Sequence, residues 1–103
     1  MASIIVEYKF AHPMSDEELG RTAKKLDSCL ELRNGAWVRS SLSEDRKRMI
    51  CEFEAPDAES VREALRASGQ EFERAWPAQV FAVEQYPEQL KQLEKVKASR
   101  PAS

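Results

Sequence analysis

The chain of 103 residues has little of several features that common functional classes need. It contains one histidine, two cysteines and three glycines, and no apolar run near the roughly 20 residues of a membrane span. Sixteen basic residues against 18 acidic ones leave a net charge of −2, without the basic excess of nucleic-acid binders. We therefore expect neither a membrane nor a nucleic acid as a partner.

The two cysteines, Cys29 and Cys51, are far apart in sequence and form no CxxC pair. Small secreted domains usually carry more cysteines as a disulfide framework, and zinc knuckles need closely spaced pairs. The N-terminal segment also lacks the basic start of a signal peptide. We expect unpaired thiols, with Cys51 in the core, and a cytoplasmic location.

Glycine and histidine are too sparse for two familiar kinds of site. The three glycines are isolated, so there is no glycine-rich phosphate loop. His12 is the only histidine and has no serine and acid partner at the spacing of a catalytic triad. Its sequence context favours an exposed loop residue. The alternative is a metal ligand joined by a carboxylate such as Glu7 or Glu52, because imidazole with oxygen ligands suits nickel and its neighbours.

Apolar periodicity, in contrast, is plentiful. Alternation at period two, typical of strands, covers four segments: residues 3–10, 36–43, 47–54 and 79–86. Helical spacing follows Ser15 and Asp57, which are favourable N-cap residues, and Gly69 suits a helix C-terminus. The order βαββαβ predicts an α+β, ferredoxin-like fold, with one antiparallel sheet and both helices on one face.

The chain divides into two predicted parts. Residues 1–86 form the ferredoxin-like domain, and residues 87–103 form a C-terminal amphipathic helix, to about residue 97, with a frayed tail. Leu90, Leu93 and Val96 give this helix a thin apolar stripe. A helix so short is marginal alone, so we expect it to dock on its own domain or on a partner subunit.

The helix-free face of the sheet is the predicted location of the functional residues. If Val6, Val38 and Cys51 face the helices, alternation turns the other set outward: Ile5, Trp37, Arg39, Ile50 and either Val80 or Phe81. Exposed apolar side chains of this size favour two sheets that pack face to face. The expected assembly is a homodimer of the dimeric α+β barrel type, with a cavity between its subunits.

Polar groups on the same face could line that cavity. Glu7, Trp37, Arg39 and Glu52 are the candidate ligand-binding residues, because carboxylates and a guanidinium beside an aromatic ring suit a small molecule or a metal ion. The alternative is structural: the charges pair across strands at a dimer interface.

Several motifs resemble those of a known family. The segments that carry the resemblance are Val-Glu-Tyr-Lys-Phe at 6–10, Trp-Val-Arg-Ser at 37–40, Cys-Glu-Phe-Glu-Ala-Pro-Asp at 51–57, Val-Arg-Glu-Ala at 61–64 and Gly69. Over residues 3–83 the chain resembles a bacterial family of small ferredoxin-like proteins, often labelled nickel-binding protein after a nickel-responsive actinobacterial member. The resemblance implies a cytoplasmic homodimer that binds a divalent metal such as Ni²⁺, and it implies no established enzyme activity.

Three functions remain open on this basis. The favoured one is a homodimeric protein that binds a small molecule or a metal ion, with His12 and Glu7 as candidate metal ligands. The second is a dimeric α+β barrel enzyme, of the cofactorless monooxygenase or isomerase type, that uses Glu7, Arg39 and Glu52 in the inter-sheet pocket. The third is an interaction module whose C-terminal helix contacts a partner.

Overall fold

The structure is a computed structural model that describes residues 1–99. Its elements, in chain order, are β1 (Ala2–Lys9), α1 (Asp16–Glu31), β2 (Ala36–Leu42), β3 (Arg48–Ala55), α2 (Ala58–Ala67), β4 (Arg74–Ala78), a 3₁₀ turn (Val83–Gln85) and α3 (Pro87–Ser99). The four strands form one antiparallel sheet in the order β2-β3-β1-β4. The predicted ferredoxin-like α+β fold is confirmed. Across residues 1–99, none of the helices has the length and apolar content that crossing a membrane requires.

The core lies between one face of the sheet and the two helices α1 and α2. Alternate residues of β1 and β3 point into it and are fully buried, among them Ile4, Val6 and Phe53. Leu30 of α1 and Leu65 of α2 meet them from the other side. The period of two in the strands and the apolar stripes of the helices therefore serve a single core, as the sequence predicts.

The helix ends follow the predicted capping residues. The Glu18 backbone N–H donates to Ser15 Oγ at 3.1 Å at the start of α1, and the Ser60 N–H donates to Asp57 Oδ1 at 2.7 Å at the start of α2. After α2, Gly69 takes a left-handed conformation with φ +74. The Gln70 N–H then reaches Leu65 O at 2.9 Å, which completes a Schellman ending.

The fourth strand lies earlier than the sequence pattern predicts. The prediction over 79–86 is wrong: β4 is Arg74–Ala78, and residues 79–82 are irregular. Ala78 pairs with Ser3, almost at the first residue of β1, so the chain beyond Ala78 has run off the end of its partner strand. Pro77 is tolerated because β4 is an edge strand, where a missing N–H costs little.

A β-bulge in β2 overturns one predicted face. Trp37 lies opposite Phe53 and Arg39 lies opposite Glu52, so that Val38 is an extra residue between two successive partners. Trp37 therefore faces the helix side of the sheet and Arg39 faces the open side. The prediction that both lie on the open face is wrong for Trp37, because strict alternation does not survive the bulge.

Among the helices and strands of residues 1–99, helix α3 packs only against the 3₁₀ turn before it, and none of its residues is buried. Its predicted stripe is present, with Leu90 and Leu93 half-buried and Val96 exposed by 41%. Pro87 occupies the first helical position, where a missing N–H is harmless. The helix ends at Ser99, and the remainder of the predicted frayed tail lies outside the described residues.

Candidate functional site

A cavity of about 600 Å³ lies between α1 and the β2–β3 edge of the sheet, on the helix side. Only the second half of α1 is packed down, through Leu26 and Leu30. The first half faces the cavity with Thr22 and Ala23, and β2 faces it with Ser40. Because these side chains are small, the helix and the strand leave space between them. The volume is within the range of small-molecule sites in proteins.

The loop between β1 and α1 forms the rim of the cavity and is held by the β2–β3 turn. The Phe10 N–H donates to Lys47 O at 2.7 Å, and the Met14 N–H donates to Arg46 O at 3.0 Å. Arg46 has φ 62, and its Nε–H donates to Met14 O at 2.6 Å. These bonds fix the rim by backbone geometry, so the cavity mouth is built from two ordered turns.

Trp37, Ser40 and Cys51 form a chain of hydrogen bonds along one wall. The Trp37 Nε1–H donates to Ser40 Oγ at 2.8 Å, and the Ser40 hydroxyl donates to Cys51 Sγ at 2.8 Å. Cys51 is buried, as predicted, and burial raises the pKa of its thiol despite the opposing effect of the Ser40 hydrogen bond. The thiol is therefore neutral at pH 7 and serves as a hydrogen-bonding group.

Tyr8 begins a second chain that ties three elements together. Its hydroxyl donates to Gln70 Oε1 at 3.1 Å, and Gln70 Nε2 donates to Thr22 O at 3.0 Å. This links β1, the loop after α2 and the middle of α1. Burial raises the pKa of the Tyr8 hydroxyl far above its ordinary value, and the nearby Cys51 raises it further. Tyr8 therefore stays protonated.

The predicted ligand-binding residues are divided between the two faces of the sheet. Glu7, Arg39 and Glu52 lie on the open face, whereas Trp37 lines the cavity on the other face. Arg39 Nε lies 3.1 Å from Glu52 Oε1, across the strands. Glu7 Oε2 accepts from Trp76 Nε1 at 2.9 Å and lies 3.5 Å from the Arg74 guanidinium. The open-face charges thus form the cross-strand pairs that are the structural alternative to a site.

The two predicted metal ligands do not share a cluster. His12 lies exposed at the cavity rim with Nε2 at 3.0 Å from Glu18 Oε2, and this hydrogen bond lowers the pKa of Glu18. Glu7 is engaged by Trp76 and Arg74 on the open face. Among residues 1–99, no group of three or more histidine, cysteine or acidic residues is placed to hold a metal ion. The donor groups of residues 1–99, taken within one chain, therefore do not fit a nickel site.

Sequence reasoning missed Ser40, Tyr8 and Gln70 as cavity residues. A tyrosine at a core-facing strand position carries a usable signal, since a buried hydroxyl needs a hydrogen-bond partner. Gln70 directly follows the cap residue Gly69, so a polar group close to the sheet end was readable. The hydrogen bond between Ser40 and Trp37 depends on the bulge at Val38, for which the local sequence gives no signal.

Comparisons with known proteins agree with this fold. The profile of a family described as "Nickel responsive protein SCO4226-like" matches residues 5–77, which is most of the domain. The crystal structure of SCO4226 from Streptomyces coelicolor A3(2) is similar to this chain with a TM-score of 0.72, over 79% of this chain and 100% of that one. Their sequence identity is 15%, so the likeness shows the fold alone. A search of curated proteins gave no significant match. On the strength of the family match, the chain belongs to the SCO4226-like family of nickel-responsive proteins.

Proposed function

We propose that this protein is a cytoplasmic, homodimeric binding protein whose ligand is a small organic molecule in the cavity between α1 and the sheet. The observation that carries the proposal is the cavity itself: about 600 Å³, walled by aromatic and aliphatic side chains, with polar groups at a few fixed points. Both cysteines are free thiols, which suits a reducing compartment.

Binding is better supported than catalysis by the state of the cavity's own groups. Tyr8 and Cys51 both have raised pKa values and are neutral at pH 7, so neither serves as a base or as a thiolate nucleophile. The carboxylates expected to act in an enzyme, Glu7 and Glu52, are on the opposite face of the sheet and are paired with cations. The neutral groups in the cavity are suited to orienting a ligand.

The family name associates its members with nickel, so the binding of a divalent metal by this chain needs its own test. The arrangement of His12 and Glu7 gives no support to a site within one subunit. Calorimetric titration of tag-free protein with Ni²⁺ decides the matter. We expect no saturable heat below millimolar metal, and a stoichiometric binding isotherm would contradict this expectation.

The ligand proposal is tested by filling the cavity. Ala23 lines the cavity from α1, whereas Lys24 on the same helix does not. We expect the uncharged dye N-phenyl-1-naphthylamine to bind one per chain, with its emission enhanced. Ala23→Phe should weaken binding by more than about tenfold, which corresponds to 1.4 kcal/mol, and Lys24→Phe should leave it unchanged. Equal binding by both variants, or no binding by the unmodified protein, would refute the proposal.

The dimer is supported by an apolar strip on the open face. Trp76 pairs with Ile5, and Ile50 is the diagonal neighbour of Ile5, so the strip crosses three strands. Trp76 is 42% exposed and Ile50 52% exposed. The ion pairs Arg39–Glu52 and Arg74–Glu7 flank the strip and place both positive and negative charges around it. The face is therefore suited to packing against a second copy of itself about a twofold axis.

Light scattering of the purified protein tests the dimer. We expect the unmodified chain to have twice the monomer mass and Ile50→Glu to have the monomer mass, because the new carboxylate would be buried without a partner. Leu32→Glu is the matched control, since Leu32 is 82% exposed at the end of α1 and away from the sheet. A monomeric unmodified chain, or a dimeric Ile50→Glu variant, would contradict this part of the proposal.

A further inference from the structure

The two hydrogen-bond chains in the cavity determine which donor and acceptor positions of its lining remain available to a ligand. The Ser40 hydroxyl donates a hydrogen bond to Cys51 Sγ, and the Tyr8 hydroxyl donates a hydrogen bond to Gln70 Oε1. A hydroxyl has one proton and two acceptor positions. Ser40 uses one acceptor position for Trp37 Nε1–H, so both hydroxyls still have acceptor capacity but no free proton. The lining therefore presents two hydroxyl oxygens that can still accept, beside the second amide N–H of Gln70 and the weak S–H donor of Cys51.

The lining residues also favour one charge state of the ligand. The lining residues with a charged or basic side chain are Lys9, His12, Asp27 and Glu71, and all four are exposed. No charged residue is buried among residues 1–99, so a charged ligand held against the buried Tyr8 and Cys51 would lose hydration without a buried counter-charge, at a cost of several kcal/mol. Only a neutral molecule avoids this cost.

Aromatic rings give the cavity its apolar surface. Tyr8 and Phe10 stack with ring centroids 5.8 Å apart, and Trp37 and Phe53 lie opposite each other on adjacent strands. Aromatic rings in such walls favour offset-stacked or edge-to-face contacts with an aromatic partner. The aromatic surface and the acceptor groups occur in the same space, so a ligand with an aromatic ring and one polar hydrogen matches both.

We propose that the cavity takes a neutral aromatic molecule that carries one hydrogen-bond donor, such as a phenol or an indole. This inference rests on the proposed small-molecule function and specifies its ligand class. The donor of the ligand bonds to the free acceptor position of Ser40 or Tyr8, and its ring lies among Phe10, Trp37 and Phe53.

The test compares three probes of nearly equal size: 4-propylphenol, 4-propylanisole and 4-propylbenzoate. The chain has two tryptophans, so the Trp76→Phe background leaves Trp37 in the cavity as the only indole reporter. Its emission, excited at the red edge of indole absorption, follows each titration. We expect the phenol to bind about fivefold more tightly than the anisole, the ratio for one net hydrogen bond, and the benzoate to bind most weakly.

Two variants locate the acceptor, and a third is the control. Ser40→Ala and Tyr8→Phe each remove one acceptor, and at least one of them should bring the phenol-to-anisole ratio close to one. Ser41→Ala changes the same residue type on the open face and should leave the ratio at about five. Circular dichroism and thermal unfolding establish that each variant folds, and the remaining acceptor variant decides the test where one does not.

The outcomes separate the inference from the function on which it rests. Three results would overturn the ligand class alone, provided that the unmodified protein binds the apolar dye. They are equal affinity for the phenol and the anisole, tightest binding of the benzoate, and no binding of any of the three probes. A preference for phenol that survives both acceptor variants overturns it as well. Loss of dye binding in the unmodified protein removes the small-molecule function itself.

Discussion

The link from Tyr8 to Gln70 and Thr22 predicts a specific stability effect of Tyr8→Phe. The variant keeps the buried ring and removes a hydroxyl that donates to Gln70 Oε1 at 3.1 Å. One net hydrogen bond is worth about 1 kcal/mol, so the free energy of unfolding at pH 7 should fall by about that amount. For a domain of this size the midpoint of thermal unfolding should fall by about 4–8 °C.

The same variant should behave differently at high pH. Burial raises the pKa of Tyr8 in the folded protein, so its contribution is complete below the unfolded pKa of about 10 and is lost as pH rises above that value. At pH 11 the unfolded chain is largely ionised at this residue and the folded chain is not, which costs the unmodified protein about 1.4 kcal/mol. Tyr8→Phe escapes this loss, so its deficit at pH 7 should vanish or reverse by pH 11.

Urea unfolding at pH 7, 9 and 11 measures both effects in one series. Tyr86→Phe is the matched control, since Tyr86 is 42% exposed and the same substitution there should change the free energy by less than about 0.5 kcal/mol. The reasoning is refuted if Tyr8→Phe and Tyr86→Phe are equally stable at pH 7. It is also refuted if the difference between Tyr8→Phe and the unmodified protein is the same at pH 7 and pH 11.

Three further predictions concern two glycines, the C-terminal segment and the N-cap of α2. A Cβ at Gly20 or at Gly69 would meet no atom within 4 Å, so the two Gly→Ala variants differ in backbone alone. Gly20→Ala, inside α1, should stabilise the protein by about 0.5–1 kcal/mol, and Gly69→Ala, at φ +74, should destabilise it by about 1–2 kcal/mol; effects of the same sign in urea unfolding would contradict this. Removal of residues 87–103 should move the thermal midpoint by less than about 2 °C, because α3 packs only on the 3₁₀ turn, and a larger drop would show that the tail docks on the domain. Hydrogen bonds from Ser60 hold the pKa of Asp57 below its ordinary value, so its contribution is present above pH 4 and lost as pH falls through the folded pKa. Asp57→Asn keeps the cap and does not titrate, so its thermal midpoint should fall less than that of the unmodified chain between pH 5 and pH 2, and parallel curves would be the contrary result.

The sequence predicts those parts of the fold in which one periodic pattern meets one core. Ile4 and Val6 in β1, like Cys51 and Phe53 in β3, alternate without interruption, and each strand is paired on both sides. The caps at Ser15 and Asp57 depend on bonds within a few residues, so local sequence is sufficient for them as well.

The position of β4 could not be predicted in the same way, because it depends on a distant partner. Val80 and Phe81 have higher strand propensity than Pro77, so local sequence favours the later segment. The loop after α2 is fixed by the bonds of Gln70 and by the Glu73 N–H, which donates to Glu7 O at 2.8 Å. These bonds place Arg74 beside the free edge of β1. Residues 74–78 then pair along that edge as far as Ser3, so almost no part of it is left for residues 79–86.

The predicted and observed positions of the candidate site residues differ for a comparable reason. Pairing of charges across the open face, such as Arg39 with Glu52, follows from alternation and was readable. The face on which Trp37 lies could not be predicted, because the extra residue Val38 turns the β2 residues before it to the opposite face of the sheet. The sequence therefore names Trp37 as a candidate residue and assigns it to the wrong side of the sheet.

The bulge separates two roles that strict alternation would have placed on one surface. With Trp37 on the helix side, the aromatic residue of the open face is Trp76 from β4, and each face of the sheet has one tryptophan. The proposed dimer contact and the proposed ligand site then have no side chain in common. Ile50→Glu and Ala23→Phe should consequently act independently: the first should abolish the dimer and leave dye affinity per chain intact, and the second should do the reverse. Dye affinity that changed with oligomeric state would mean that the partner subunit bears on the cavity through β3, whose residues Cys51 and Glu52 face the two surfaces from adjacent positions.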